Sequence, residues 1–198
     1  NPVENYYYSP IDADGYRVDL EQRPELMYGT VDFLASMEYM NRPPMCPTFV
    51  FLFDVSQPAL ASGYLQQATH TIKGIFEEGS MPGADRVKVC FIAYDKNLYF
   101  FNLRPTLKQP QMMIITDTSE AYLPQPDDML VNLSDSFDLV LSLLENFHTY
   151  FANSLAPKTN EACFVQAIQS ANNIMKHVGG KMILFQAAPS VQQHAMIQ

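Results

Sequence analysis

Cysteine is scarce in this sequence: Cys46, Cys90 and Cys163 are the only three, and they are widely spaced. An odd number without any C-x-x-C fits reduced thiols better than a disulfide framework. His70, His148, His177 and His194 are scattered too, so the chain offers no zinc-ligand spacing. Basic residues are also few: 12 Lys and Arg against 21 Asp and Glu leave a formal charge of -9. A polyanion would be repelled by most of such a surface, which excludes nucleic acid as an expected partner. No apolar run approaches the roughly 18 residues of a bilayer span, and no charged-then-apolar leader opens the chain; a cytosolic location without a transmembrane segment is expected. No glycine-rich phosphate cradle follows any strand, which removes nucleotide binding of the usual kinds. Internal repeats and low-complexity tracts are absent as well.

What the sequence does have is apolar surface. With 198 residues, 47% of them hydrophobic and 17% charged, one globular core of ordinary size is expected. Acid is concentrated in residues 1 to 47, where Glu4, Asp12, Asp14, Asp19, Glu21, Glu25, Asp32 and Glu38 face only Arg17, Arg23 and Arg42. This reads first as a solvated rim and second as a surface for a basic partner. Pro2, Pro10, Pro24, five tyrosines and the "DADG" turn at 12 to 15 resist helix and suggest an extended arm whose tyrosines pack. "TVDFLAS", 30 to 36, alternates Val31, Phe33 and Ala35 as a half-buried strand should, before "NRPPMCP" breaks it. Residues 1–47 are thus an arm and a strand leading into a main domain at 48–198.

That domain opens on "TFVFLFDV", a near-continuous apolar run that reads as a central strand covered by helices on both faces. After Pro58, Leu60, Tyr64, Leu65, Ala68, Ile72 and Phe76 recur at helical spacing up to Gly79. "RVKVCFIAYD", 86 to 95, predicts a buried strand, with "NLYFFNL" as its hairpin partner across a "DKN" turn. "QMMIITD" predicts another strand, and "SEAYLPQPDD" a proline-braced loop. Phe137, Val140, Leu141, Leu144, Phe147 and Phe151 form one helical stripe, with Ser134 or Asp135 placed to cap it. A second helix from near Asn160 carries Phe164, Ala167, Ile168, Ala171, Ile174 and Met175 and ends at Gly179-Gly180. "KMILFQAA" is the last strand. The order predicts an α/β fold, most simply a doubly wound, mostly parallel sheet with an antiparallel edge strand. The chain stops soon after that strand without a covering helix, so it reads as a piece of a larger protein.

Asp54 and Ser56 fall at the carboxyl end of the central strand, where ligands of a doubly wound sheet bind. An adhesion-type metal site would present Asp-x-Ser-x-Ser to a hard cation, but the third oxygen position is Pro58, and "KMILFQAA" offers only Gln186 as a compensating ligand. A haloacid-dehalogenase-type phosphatase needs a second aspartate where Ser56 stands, and "DVSQP" lacks the glycines of a serine-hydrolase elbow. The favoured reading is that Asp54 and Ser56 tie down backbone at a strand-to-helix turn, with no catalytic residue and no bound metal. A metal-dependent adhesion domain and a hydrolase using Asp54 or Ser56 stay as alternatives. His148 and His177 have no second ligand at useful spacing, and the Met112-Met113 pair reads as core filling before adaptable binding surface.

Taken in order, "GYRVDLEQRPELMYGTVDFLASMEYM", "RPP", "FVFLFDVSQPALASGYL", "RVKVCFIAYDKNLYFFNL", "QPQMMIITD", "YLPQPDDMLVNLSDS" and "GGKMILFQAAPS" resemble the Sec24 family, the cargo-adaptor subunit of the COPII vesicle coat. The likeness covers essentially the whole chain. Its most specific part is the "QPQMM…D" strand followed by "LPxPDDxLVNL"; the sister subunit, which activates the coat's GTPase, differs after its first strand. The resemblance implies a trunk domain of von Willebrand A-like fold with a degenerate metal motif at Asp54, Ser56 and Pro58. It further implies a zinc finger upstream of these residues, with no cofactor within them, and a heterodimer with the sister inner-coat subunit. Selection of membrane-protein cargo by cytosolic signals, and a cytoplasmic location peripheral to the endoplasmic reticulum membrane and its vesicles, follow from it too. From geometry alone, a sheet edge at Leu98, Tyr99, Phe100, Phe101, Asn102 and Leu103 and a loop at Tyr122, Leu123, Pro124 and Pro126 are interface candidates, because an open edge must be covered by something.

Overall fold

The computed structural model describes residues 8–33, 36–41, 44–152 and 160–188. It divides into two compact units, Asn1–Pro44 and Met45–Gln198. In the first, Ile11 and Arg17 form an antiparallel bridge around a turn in which the Asp12 carboxylate accepts the N–H groups of Asp14 (3.0 Å) and Tyr16 (2.8 Å). Short 3₁₀ turns at Leu20–Gln22 and Met37–Tyr39 flank one helical turn, α1, Pro24–Met27. Asp19 joins Arg17 (2.9 Å) and Arg23 (3.0 Å), and the Arg17 guanidinium holds its carboxyl well below the usual range. The strand expected at 30 to 36 does not form: residues 30–33 have no regular structure, Phe33 is 70% exposed, and Leu34 and Ala35 lie outside the described residues. Alternation marks a strand only where a neighbouring strand supplies the ladder. The arm's Tyr8, Tyr16 and Tyr28 stay exposed instead of packing.

The second unit is built on one sheet in the order β4-β3-β2-β1-β6, with β5 paired to β2. The strands are β1 Thr48–Asp54, β2 Lys88–Tyr94, β3 Leu98–Asn102, β4 Gln111–Ile115, β5 Val131–Asn132 and β6 Lys181–Phe185. Pairing of β1 with β2 and with β6 is parallel, whereas β3, β4 and β5 run antiparallel to their neighbours. Every residue of β1 is buried. Successive side chains point to opposite faces of a strand, so Phe49, Phe51 and Phe53 enter one cluster with Val89, Phe91 and Phe101. Val50 and Leu52 enter the other, with Cys90, Ile92, Leu98 and Phe100. The continuous apolar run is therefore two alternating sets laid together.

Helices cover both faces as expected. On the phenylalanine side, α3 (Tyr64–Glu77) buries Leu65, Thr69, Ile72 and Phe76, and α4 (Phe137–Ala152) buries Leu139, Val140, Leu143, Leu144, Phe147 and Phe151. On the other side α5 (Phe164–Met175) buries Ile174 together with Ala167, Ser170 and Ala171, three small residues that let its backbone approach the sheet. Phe147 packs its ring 4.9 Å from Phe53 and 5.3 Å from Phe101, and Phe51 stacks on Phe91 at 5.2 Å. Each fully buried ring contributes about 1.5–3 kcal/mol by removal from water.

Three boundaries differ from the sequence reading. The helix after Pro58 is two helices, α2 (Gln57–Ser62) and α3, because Gly63 between them takes a left-handed φ of 74°. The cap of α4 is neither Ser134 nor Asp135: the Ser134 N–H is taken by the Asn132 side chain (2.9 Å), and the first turn closes from Val140 N–H to Ser136 O (2.9 Å). And α5 starts at Phe164, not near Asn160, the preceding Cys163 N–H being donated to Asp95 O at 2.7 Å.

Candidate functional site

The crest of β1 is where sequence and topology both place a site. Asp54 is fully buried at the end of the strand. Its Oδ1 accepts the Ser56 N–H (2.9 Å), closing an Asx turn into α2. Its Oδ2 accepts two more N–H groups from the segment just past β6, Ala187 (2.9 Å) and Ala188 (2.6 Å). The Asp54 carbonyl takes the Tyr64 hydroxyl, the Val55 N–H reaches Tyr94 O (2.9 Å), and the Tyr94 hydroxyl reaches Phe185 O (3.2 Å). Burial first, and then the negative charge of Asp54, push both phenols above their ordinary range, so Tyr64 and Tyr94 are neutral donors. One carboxylate and two phenols thus fasten the ends of β1, β2 and β6 together.

What this crest offers chemically is limited. Both Asp54 oxygens carry N–H donors, and Pro58, in the first turn of α2, has no side-chain oxygen. The Ser56 Oγ is buried without a hydrogen-bond partner among the described residues, so no base is aligned to activate it. No group of three or more His, Cys, Asp or Glu side chains placed to hold a metal ion occurs among the described residues.

A second polar cluster sits at the "DKN" turn, whose sequence shows a turn and nothing of the partners it gathers. The Asp95 carboxylate accepts the Asn97 N–H (2.7 Å) and the Tyr99 hydroxyl (3.2 Å), and the Cys163 thiol leans on Asn97 O (3.5 Å). Burial raises the Asp95 carboxyl and pushes the Cys163 thiol up to about 12, the Asp95 charge adding to it. The cluster locks the turn to the start of α5; its thiol is no nucleophile at neutral pH. An apolar groove of about 550 Å³ lies along α3 and the β1–β6 side of the sheet, with Phe49, Phe51, Ile75, Met81 and Phe185 among its walls. A sequence pattern locates such side chains in the core but does not say that one side is left open.

The interface candidates separate. Leu98 to Leu103 is not the sheet edge: β3 lies between β2 and β4, and Leu98, Tyr99, Phe100, Phe101, Asn102 and Leu103 are all buried. These residues are core, and the edge is β4. The loop stands differently. Tyr122 is 59% exposed and Pro126 exposed, Leu123 and Pro124 are half-buried, and the loop is braced to the end of β3 by Asn102 Nδ2 to Gln125 Oε1 (2.9 Å), with an Arg104–Asp128 ion pair just beyond. His148 lines a small polar hollow with His70, Lys73 and Glu145 between α3 and α4, and His177 is exposed beyond α5. Met113 packs on the core while Met112 is 39% exposed.

The Sec23/Sec24 trunk domain model matches residues 44–198. Among curated proteins, Protein transport protein SEC24 A of Arabidopsis thaliana is 41% identical over 94% of this chain, and human Protein transport protein Sec24A is 35% identical over 94%. The chain spans 17% and 16% of those relatives' own lengths. The crystal structure of the human COPII-coat protein Sec24c superposes with a TM-score of 0.71 at 33% identity, over 94% of this chain and 25% of that one. The mostly parallel sheet with antiparallel strands on one side is the von Willebrand A-like arrangement expected of the trunk. The chain belongs to the Sec23/Sec24 trunk-domain family, as a piece of trunk on the Sec24 side of it.

Proposed function

We propose that this protein is a non-catalytic component of the COPII vesicle coat in endoplasmic-reticulum-to-Golgi transport. It pairs with the sister inner-coat subunit and, as an intact subunit, helps select membrane-protein cargo by cytosolic signals. The observation that carries the non-catalytic part is the Asp54 carboxylate: the acidic group that ends β1 at the ligand crest is spent on three backbone N–H groups, in keeping with a rigid α/β body that acts by contact. Family membership and the named relatives support the coat assignment. The place of action is cytoplasmic and peripheral to the endoplasmic reticulum membrane; no described helix is long and apolar enough to cross a bilayer. Zinc belongs to a finger upstream of these residues. Of the original interface candidates, Tyr122 and its loop remain, joined by the β4 edge in place of β3.

The test is co-purification of the full-length protein with the sister subunit. A stable one-to-one complex is expected, and failure to associate at micromolar concentration refutes the pairing. One observation favours a second reading, a cation-dependent binding domain: the unpartnered Ser56 Oγ beside Asp54. Thermal denaturation with and without millimolar Mg²⁺ decides it, since a site that binds the folded state must raise the transition temperature. No rise is expected.

A further inference from the structure

The outer side of β4 is an open sheet edge. Its inner side pairs with β3 over all five residues, from Gln111 opposite Asn102 to Ile115 opposite Leu98, and among the described residues no strand pairs with the outer side. Natural edges are usually blunted by lysine, proline or a bulge. Here the strand reads Gln-Met-Met-Ile-Ile, with none of these. Met112 and Ile114, two residues apart and hence on one face, are 39% and 50% exposed, whereas Met113 and Ile115 pack on the core. By contrast the opposite edge, β6, begins with an exposed lysine, Lys181.

The end of this edge has its own chemistry. Just past Ile115 a cleft of about 350 Å³ is walled by Ile115, Asp117, Ser119, Glu120 and Tyr122. Asp117 is held in place because its Oδ1 accepts both the N–H (3.0 Å) and the hydroxyl (2.6 Å) of Ser119. Two carboxylates, an apolar floor and an exposed aromatic ring suit a lysine or arginine, whose stem packs on apolar surface while its head meets the acid. The nearest lysine of the hairpin, Lys108, precedes the other end of β4, so the edge is polarised along its length.

We propose that the β4 edge is a strand-addition site for an extended segment of a partner protein. The segment runs antiparallel to β4, continuing the β2-β3-β4 meander. It sets apolar side chains at alternate positions over Met112 and Ile114 and seats a basic residue at its N-terminal end in the cleft of Asp117, Glu120 and Tyr122. Main-chain bonds to the edge give affinity, and the cleft gives direction and register. The proposal rests on the coat reading only in taking the occupant to be a protein.

The test uses the whole chain and a fluorescent peptide, acetyl-Arg-Ile-Thr-Val-Thr-Val-amide, followed by anisotropy, with hydrogen exchange on the β4 amides. Binding with slowed exchange across β4 is expected. Asp117→Asn and Glu120→Gln should each weaken it about two- to fivefold, as for an exposed ion pair, and Ile114→Lys about tenfold or more. Two peptide changes keep the question open to refutation if a variant misfolds: glutamate in place of arginine, and proline in place of the first threonine, which removes a main-chain donor. No binding, or equal binding of the proline peptide, overturns strand addition; equal binding of the glutamate peptide overturns the cleft. Peptide binding without association of the sister subunit would instead fault the coat reading and leave the edge standing.

Discussion

Replacing Asp54 by alanine tests the account of the crest most directly. Three N–H groups lose their acceptor: Ser56 and Ala188 are buried, and Ala187 is exposed enough to turn to water. A hydrogen bond to a charged group contributes about 1.5–3 kcal/mol, so the two buried donors account for roughly 3–6 kcal/mol. The alanine also removes the cost of holding a carboxylate out of water, which offsets part of this. A net loss of about 3 kcal/mol is expected, near 6–12 °C in transition temperature for a domain of this size. Asp54→Asn keeps one acceptor oxygen but turns an amide NH₂ toward an N–H donor, and should lose about half as much. Urea denaturation followed by circular dichroism gives the free energy, and amide exchange at Ala187 and Ala188 locates it. If Asp54→Ala falls within about 0.5 kcal/mol of the parent, or those two amides keep their protection, the carboxylate is not the fastener described here. A cation site predicts a different pattern, a loss seen only with Mg²⁺ present.

Gly180, at a φ of 144°, should not accept alanine: the new methyl would stand 2.5 Å from the Thr48 backbone oxygen, so a cost of roughly 2–4 kcal/mol by chemical denaturation is expected. Thiol titration of the native protein should find Cys46, half-buried, reacting promptly, whereas Cys90 and Cys163, both pushed up to about 12 by burial, react only on unfolding. Asp95 carries a carboxyl raised above its ordinary 3.8 by burial, so its stabilising effect is present below that value and lost as pH rises through the raised one. Asp95→Asn should flatten the stability profile in the mildly acidic range above 3.8; an unchanged slope there refutes the assignment.

The central strand was legible because both of its faces are buried, so its apolar run needs no knowledge of its partners. The break at Gly63 was not, since Leu60, Tyr64 and Ala68 keep helical spacing straight across it, and a single left-handed residue leaves no mark on periodicity. The β3 edge was misplaced for a related reason: "NLYFFNL" fits an inner or an outer strand alike, and only the pairing with β4 decides. The same holds for "TVDFLAS", whose alternation found no ladder. At the site, the Asx turn from Asp54 to Ser56 lies within a short stretch of chain and could be read, whereas the donors at Ala187 and Ala188 stand more than a hundred positions away. Short-range chemistry is written in the residues; long-range partnership is written in the topology.

That distance has a consequence for how the polypeptide matures. β1 is made well before β6, and its terminal carboxylate is buried, yet two of its three donors are synthesised only at Ala187 and Ala188. Until that late stretch leaves the ribosome, the charge keeps its hydration and the top of the sheet stays ajar, even if β1, β2 and their covering helix have already condensed. The later-made β6 is therefore the strand whose arrival closes β1.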